Sequence, residues 1–140
     1  MDQRLTIIGL GVDDLAKSTD FYENIFGWGK TASSTDTISF FKLNGILLSL
    51  YPREKLAEDA TVSSEGSGFK GFTLAHNLRS IDEVDALIAE LRSKGVTIVK
   101  EPQKVFWGGY SSYVADIEEN LWEIAYNPYL NMDDLGQVLD

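Results

Sequence analysis

A strand, a helix and a glycine stop follow one another near the start of the chain, and the same order returns further on. Setting Val12 against Leu78 gives an offset of 66 residues, and the same offset carries Gly29 onto Gly95. A repeat of this kind fixes the architecture before any single motif is read. In the first copy Leu5 to Val12 reads as a strand. Asp13 and Asp14 then open a helix with apolar positions Leu15, Tyr22, Ile25 and Phe26, stopped at Gly27 and Gly29. In the second copy Gly71 to Leu78 is the strand, and Ser80-Ile81-Asp82-Glu83 is a capping box in which hydroxyl and carboxylate each meet an orphan backbone donor. The helix that follows carries Ile81, Val84, Leu87, Ile88 and Leu91 on one side and ends at Gly95.

Strand-like pieces follow each stop. Thr37 to Leu43 and Ile46 to Tyr51 flank Asn44-Gly45, a dipeptide that marks a tight hairpin. In the second half the pieces are Val96 to Val99, Tyr110 to Ala115 and Leu121 to Tyr126, separated by Pro102 and by the acidic turn Asp116 to Asn120. Each half is therefore strand, helix and then about three strands. Residues 60–70, rich in Ser, Gly and Thr, read as a linker between module one (about 4–58) and module two (about 71–128) of a single domain. In the tail, residues 129–140, Leu130, Met132, Leu135 and Val138 have a spacing that permits a short helix.

Composition narrows the function classes. A chain of 140 residues that is 44% apolar has material for one real core. No apolar run is long enough to span a bilayer and the start lacks a signal-like segment, so the chain reads as cytoplasmic. With no cysteine there is no disulfide framework, thiolate metal site or cysteine nucleophile, and a single histidine, His76, excludes an imidazole cluster. The net charge of −10 and the lack of a basic stripe argue against nucleic acid as a partner.

The residues with chemistry gather near the end, in Trp107-Gly108-Gly109-Tyr110-Ser111-Ser112-Tyr113 and in Asp116 to Ile124. Strand alternation sends Leu121, Glu123 and Ala125 to one face and Trp122 and Ile124 to the other, so the second pair is core. Glu123 is then either an acceptor lining a cleft or a carboxylate satisfied by donors of the protein itself, since buried acids are rare unless paired. Ser111 and Tyr113 share one face, Tyr113 being a cleft wall or a structural residue. His76 is expected to face the helix layer or an interface. Trp107-Gly108-Gly109 is a flap or a plain turn, and Gly9 and Gly11 mark a close approach of ligand or of backbone. Asp13-Asp14 and Glu118-Glu119 read as capping and turn residues.

Val12-Asp13-Asp14-Leu15 with Phe21-Tyr22 and Phe26-Gly27-Trp28, together with Asp116-Ile117-Glu118-Glu119-Asn120-Leu121-Trp122-Glu123, resembles the vicinal oxygen chelate superfamily. Its members include glyoxalase I, bleomycin-resistance proteins and extradiol dioxygenases. In the family's late turn, usually Asp-Pro-Asp-Gly before Leu-Trp-Glu, the Pro, Asp and Gly correspond here to Ile117, Glu118 and Glu119. The resemblance implies an α+β fold in which two βαβββ modules form a curled mixed sheet around a cleft, generally in a homodimer. It also implies a divalent metal held by four side chains, and those positions fall here on Ile7, Thr73, Ser49 or its neighbour, and Glu123. Only Glu123 matches in type, so neither metal nor other cofactor is expected.

Three functions remain open on this reading. The first is a glyoxalase-like protein binding a small organic molecule in the cleft without the usual metal; as an enzyme it would use Glu123 as proton acceptor. Ser49, Thr73, Ser111, Tyr113 and Trp107 would then line the ligand. The second is a metal-dependent lyase, isomerase or dioxygenase using Glu123, and the third is a non-catalytic dimerisation or interaction module.

Overall fold

The computed structural model describes every residue except 2, 4, 71 and 140, so the expected strand start at Gly71 lies outside the described residues. Two compact units divide the chain, Met1–Gly68 and Phe69–Asp140. Each holds one mixed sheet.

In the first unit β1 (Ile7–Val12) alternates as its composition requires. Leu10 and Val12 go into the core with Leu48, Leu50 and Phe41, while Gly9 and Gly11 take the opposite face. Asp14 caps α1 (Leu15–Asp20) by accepting the Lys17 amide at 3.0 Å, a role that suits a short acidic side chain at a helix start. The helix then widens into a π turn over Phe21–Ile25. Its Tyr22 is fully buried and meets the rings of Phe26 and Phe41 at 5.4 and 5.6 Å. Burial of one such side chain stabilises by about 1.5–3 kcal/mol.

The Asn44-Gly45 hairpin forms between β2 (Ser39–Lys42) and β3 (Leu47–Pro52), with Gly45 at φ +80°. β3 lies between β2, antiparallel, and β1, parallel. The remaining strand of this module is reduced to a single bridge from Lys30 to Phe41. A helix not expected from the sequence, α2 (Arg53–Asp59), follows β3 directly. Its start explains Gly11, where a β-carbon would come within 3.2 Å of the Arg53 Cα. Close packing, not a ligand, accounts for that glycine.

The second unit holds the full set of elements. The strand β4 (Leu74–Leu78) leads through Ser80, whose hydroxyl accepts the Glu83 amide, into α3 (Ile81–Ser93). The Glu83 carboxylate reaches the Arg79 amide at 2.8 Å, one residue before the cap itself. At the other end Gly95 (φ +80°) lets the Val96 amide return to the Leu91 carbonyl and its own amide to Arg92. This is the Schellman stop, closed by the buried pair Leu91 and Val96.

The sheet order is β4-β7-β6-β5, with β5 (Thr97–Lys104), β6 (Tyr110–Ala115) and β7 (Leu121–Tyr126) antiparallel to their neighbours, and β4 parallel to β7. α3 packs against all four strands. Trp122, Ile124 and Val114 are buried on one face, as alternation requires.

Two expectations fail here. Pro102 does not end a strand at Val99; β5 runs through it, because β5 is an edge strand and its pairing with β6 is irregular on both sides of Lys100. The tail forms no helix. Asp133 accepts the amides of Leu135 and Gln137, each at 2.9 Å, and Met132 bridges Val138, so a side-chain turn outcompetes the helical ladder. No helix among the described residues is long and apolar enough to cross a membrane.

Candidate functional site

Residues opposed on neighbouring strands point to the same face of a sheet. On the face of the second sheet turned away from Trp122 and Ile124, one residue from each strand falls into a single row: Ala75, Glu123, Tyr113 and Lys100. A methyl group, a carboxylate, a phenol and an ammonium thus lie side by side. Ser111 and Ala125 flank the row on the same face.

Each polar member has a defined setting. Ser111 is only 3% exposed and donates its hydroxyl to Glu123 Oε1 at 2.6 Å. The Tyr113 phenol is held above its ordinary pKa, chiefly by burial and then by the Glu123 charge; a hydrogen bond with the Thr73 side chain acts in the opposite sense. Tyr113 is therefore a neutral hydrogen-bonding group at physiological pH. The Lys100 ammonium stands 5.8 Å from the centroid of its ring. Such a surface has a fixed acceptor, a neutral phenol and a cation with which to orient a polar organic molecule.

Thr73, Ser111, Tyr113 and Glu123, all singled out from the sequence, come together on this face. Ser49 belongs to the other sheet, where it is buried opposite Gly9. Gly9 and Ala75 are 66 residues apart, so Ser49 holds in its module the place Glu123 holds in the second. Ile7 lies on the Gly9 face of the same strand and is 45% exposed. Trp107 sits in the turn between β5 and β6, closed by bonds between Val105 and both Gly108 and Gly109. Its ring lies so close over Gly109 that a β-carbon there would collide with it. His76 shares the face of Ile124, and desolvation lowers its pKa although the residue has appreciable exposure.

Lys100 was not expected on this face. Strict alternation puts it with Ile98, which opposes the buried Val114; an extra residue between Ile98 and Lys100 turns it to face Tyr113 instead. Nothing in the composition of that segment marks the bulge.

The acidic turn is structural, as expected. Asp116, 5% exposed, accepts the amides of Glu118 and Asn120 and the Asn120 side-chain amide, while Glu119 takes a left-handed conformation at φ +60°.

The residues at the metal positions of the resembled superfamily do not fit a divalent ion. Ile7 offers hydrocarbon and Ser49 and Thr73 neutral hydroxyls, while Glu123 Oε1 is engaged by Ser111 and Thr73 by Tyr113. One carboxylate is too little charge for a protein-held divalent site. Among the described residues no three His, Cys, Asp or Glu gather closely enough to hold a metal ion.

The profile of the glyoxalase/bleomycin resistance protein/dioxygenase superfamily matches residues 4–124. A glyoxalase-related enzyme from Fulvimarina pelagi is similar at 33% identity, over 99% of this chain and 98% of that one, with a TM-score of 0.87. The chain belongs to this superfamily. Two further structures share the fold. The fosfomycin resistance protein FosX of Listeria monocytogenes has 25% identity over 92% of this chain and 97% of that one, with a TM-score of 0.70. The lactoylglutathione lyase of Agrobacterium tumefaciens has 19% identity over 90% and 95%, with a TM-score of 0.71. No curated protein sequence matches the chain.

Proposed function

We propose that this chain binds a small organic molecule on the Glu123–Tyr113 face and does so without the divalent metal of its superfamily. The observation that carries the reading is the Ser111–Glu123 bond: the one carboxylate kept from the metal set is oriented by a hydroxyl of the protein. A carboxylate so held accepts a hydrogen bond, or a proton, from a ligand placed against it. Thr73 and Tyr113 orient that ligand, and Ser49 and Trp107 are assigned to its binding from the sequence.

Metal-dependent lyase, isomerase or dioxygenase chemistry would require ligands that Ile7, Ser49 and Thr73 do not supply. A pure dimerisation module leaves the polar row without a purpose. The two modules are taken as one domain of a homodimer, as the superfamily resemblance implies, in a chain whose apolar patterning reads as cytoplasmic.

Amide NMR of the full chain against a library of small organic molecules tests the reading. Shifts that include residues 111–113 and 121–125 are expected for binders, and Glu123→Gln weakens them. Binders that leave those residues unmoved would overturn it.

A further inference from the structure

The bulge in β5 points to what the ligand carries. An edge strand with an extra residue re-aims a side chain, and here it exchanges a core-facing position for one beside Tyr113. The row that results has opposite charges at its two ends, Lys100 and Glu123, with the phenol between them. Lys100 meets the Tyr113 ring, and no carboxylate among the described residues pairs with it. Ser111 engages Oε1 of Glu123 and no described group bonds Oε2. Ala75 on the far side of Glu123 is too short to cover it.

The geometry points to a small zwitterion as the ligand, its carboxylate received by Lys100 and its ammonium by Glu123. This rests on the small-molecule reading above and narrows it. Lys100 and Glu123 stand on strands two apart, whose backbones are about 10 Å from one another, and the Lys100 ammonium lies beside the ring of the intervening Tyr113. A short dipolar molecule such as an α- or β-amino acid can then offer a carboxylate to one and an ammonium to the other through charge-assisted hydrogen bonds. The whole-molecule charge selects in the same direction: at −10, the protein repels a ligand of net negative charge, while a neutral dipolar one meets no such barrier. Tyr113 between the charges supplies a ring face for an apolar side chain.

The test uses four probes with one aromatic body, titrated into the full chain and followed by amide NMR: L-phenylalanine, 3-phenylpropionate, phenethylamine and 2-phenylethanol. L-Phenylalanine is expected to shift Lys100, Tyr113 and Glu123 with a dissociation constant at least about tenfold below that of either singly charged probe. Lys100→Met is expected to bring L-phenylalanine and phenethylamine to equal affinity, and Lys100→Arg to keep them apart. Equal affinity of L-phenylalanine and a singly charged probe in the unaltered chain overturns the inference, as does an unchanged preference in Lys100→Met. Binding of 2-phenylethanol alone at this face overturns the zwitterion and leaves the small-molecule reading standing. If all four probes leave these amides unmoved, the zwitterion is overturned, and the library screen decides the broader reading separately.

Discussion

Ser111 on β6 and Glu123 on β7 are joined by a hydrogen bond of 2.6 Å that runs diagonally between the strands, since Ser111 opposes Ala125 and Glu123 opposes Tyr113. A bond to an ionised group contributes about 1.5–3 kcal/mol when buried. Glu123 is half-buried, so water replaces part of what is lost. Ser111→Ala is expected to cost about 1 kcal/mol in urea unfolding and Glu123→Gln less, because an amide oxygen still accepts from Ser111. Ser111→Ala with an unchanged midpoint would show that the bond does not hold Glu123.

Glu119 occupies a left-handed conformation at φ +60° in the turn between β6 and β7. Such a backbone costs a residue with a β-carbon about 1–2 kcal/mol, and glycine returns part of this through the greater freedom of its unfolded chain, about 0.4–1 kcal/mol. Glu119→Gly is therefore expected to stabilise by about 0.5–1 kcal/mol, read as a raised urea midpoint. A lowered midpoint would mean that the Glu119 side chain contributes contacts that outweigh the strain.

The Trp107 ring folds onto Gly109, where a β-carbon has no room. Trp107 is 41% exposed, so the ring has solvent to move into. Gly109→Ala is expected to shift one of the three indole N–H signals toward its free-tryptophan position. The signals of Trp28 and Trp122 should stay in place. Three unmoved signals would refute the packing described for this turn.

His76 is the only histidine, so its ring protons report without assignment difficulty. Desolvation lowers its pKa from the ordinary 6.5, and NMR titration is expected to find it below that value. The sign follows from linkage: the folded state binds this proton less tightly than the unfolded state. The stability contributed is present above pH 6.5 and is lost as pH falls through the folded-state value. A pKa at or above 6.5 would contradict the desolvation described for the ring.

Much of this arrangement is legible in residue order, because alternation and turn chemistry are local rules. Trp122 and Ile124 inward, Glu123 outward, Ser111 with Tyr113, and the stop at Gly95 all follow from spacing alone. What escapes has a local cause in each instance. α2 consists of good helix formers, but Pro52 stands where a capping side chain would announce it. The tail has helical spacing, which the Asp133 side chain overrides. Lys100 is placed by a bulge, where one inserted residue turns it to the other face without altering composition, and a second irregularity before Gln103 ends the reversal. The resemblance gave Glu123 its position and its first-module counterpart as Ser49 or a neighbour, and the register fixes that counterpart as Ser49.

The most direct test of a metal-free site is elemental mass spectrometry on untagged protein, as purified and after incubation with Mn²⁺, Ni²⁺, Zn²⁺ and Fe²⁺ followed by desalting. The expected result is a trace of each metal well below one per chain, the same in Glu123→Gln. A near-stoichiometric metal that Glu123→Gln removes would contradict the account and return Glu123 to the role of ligand.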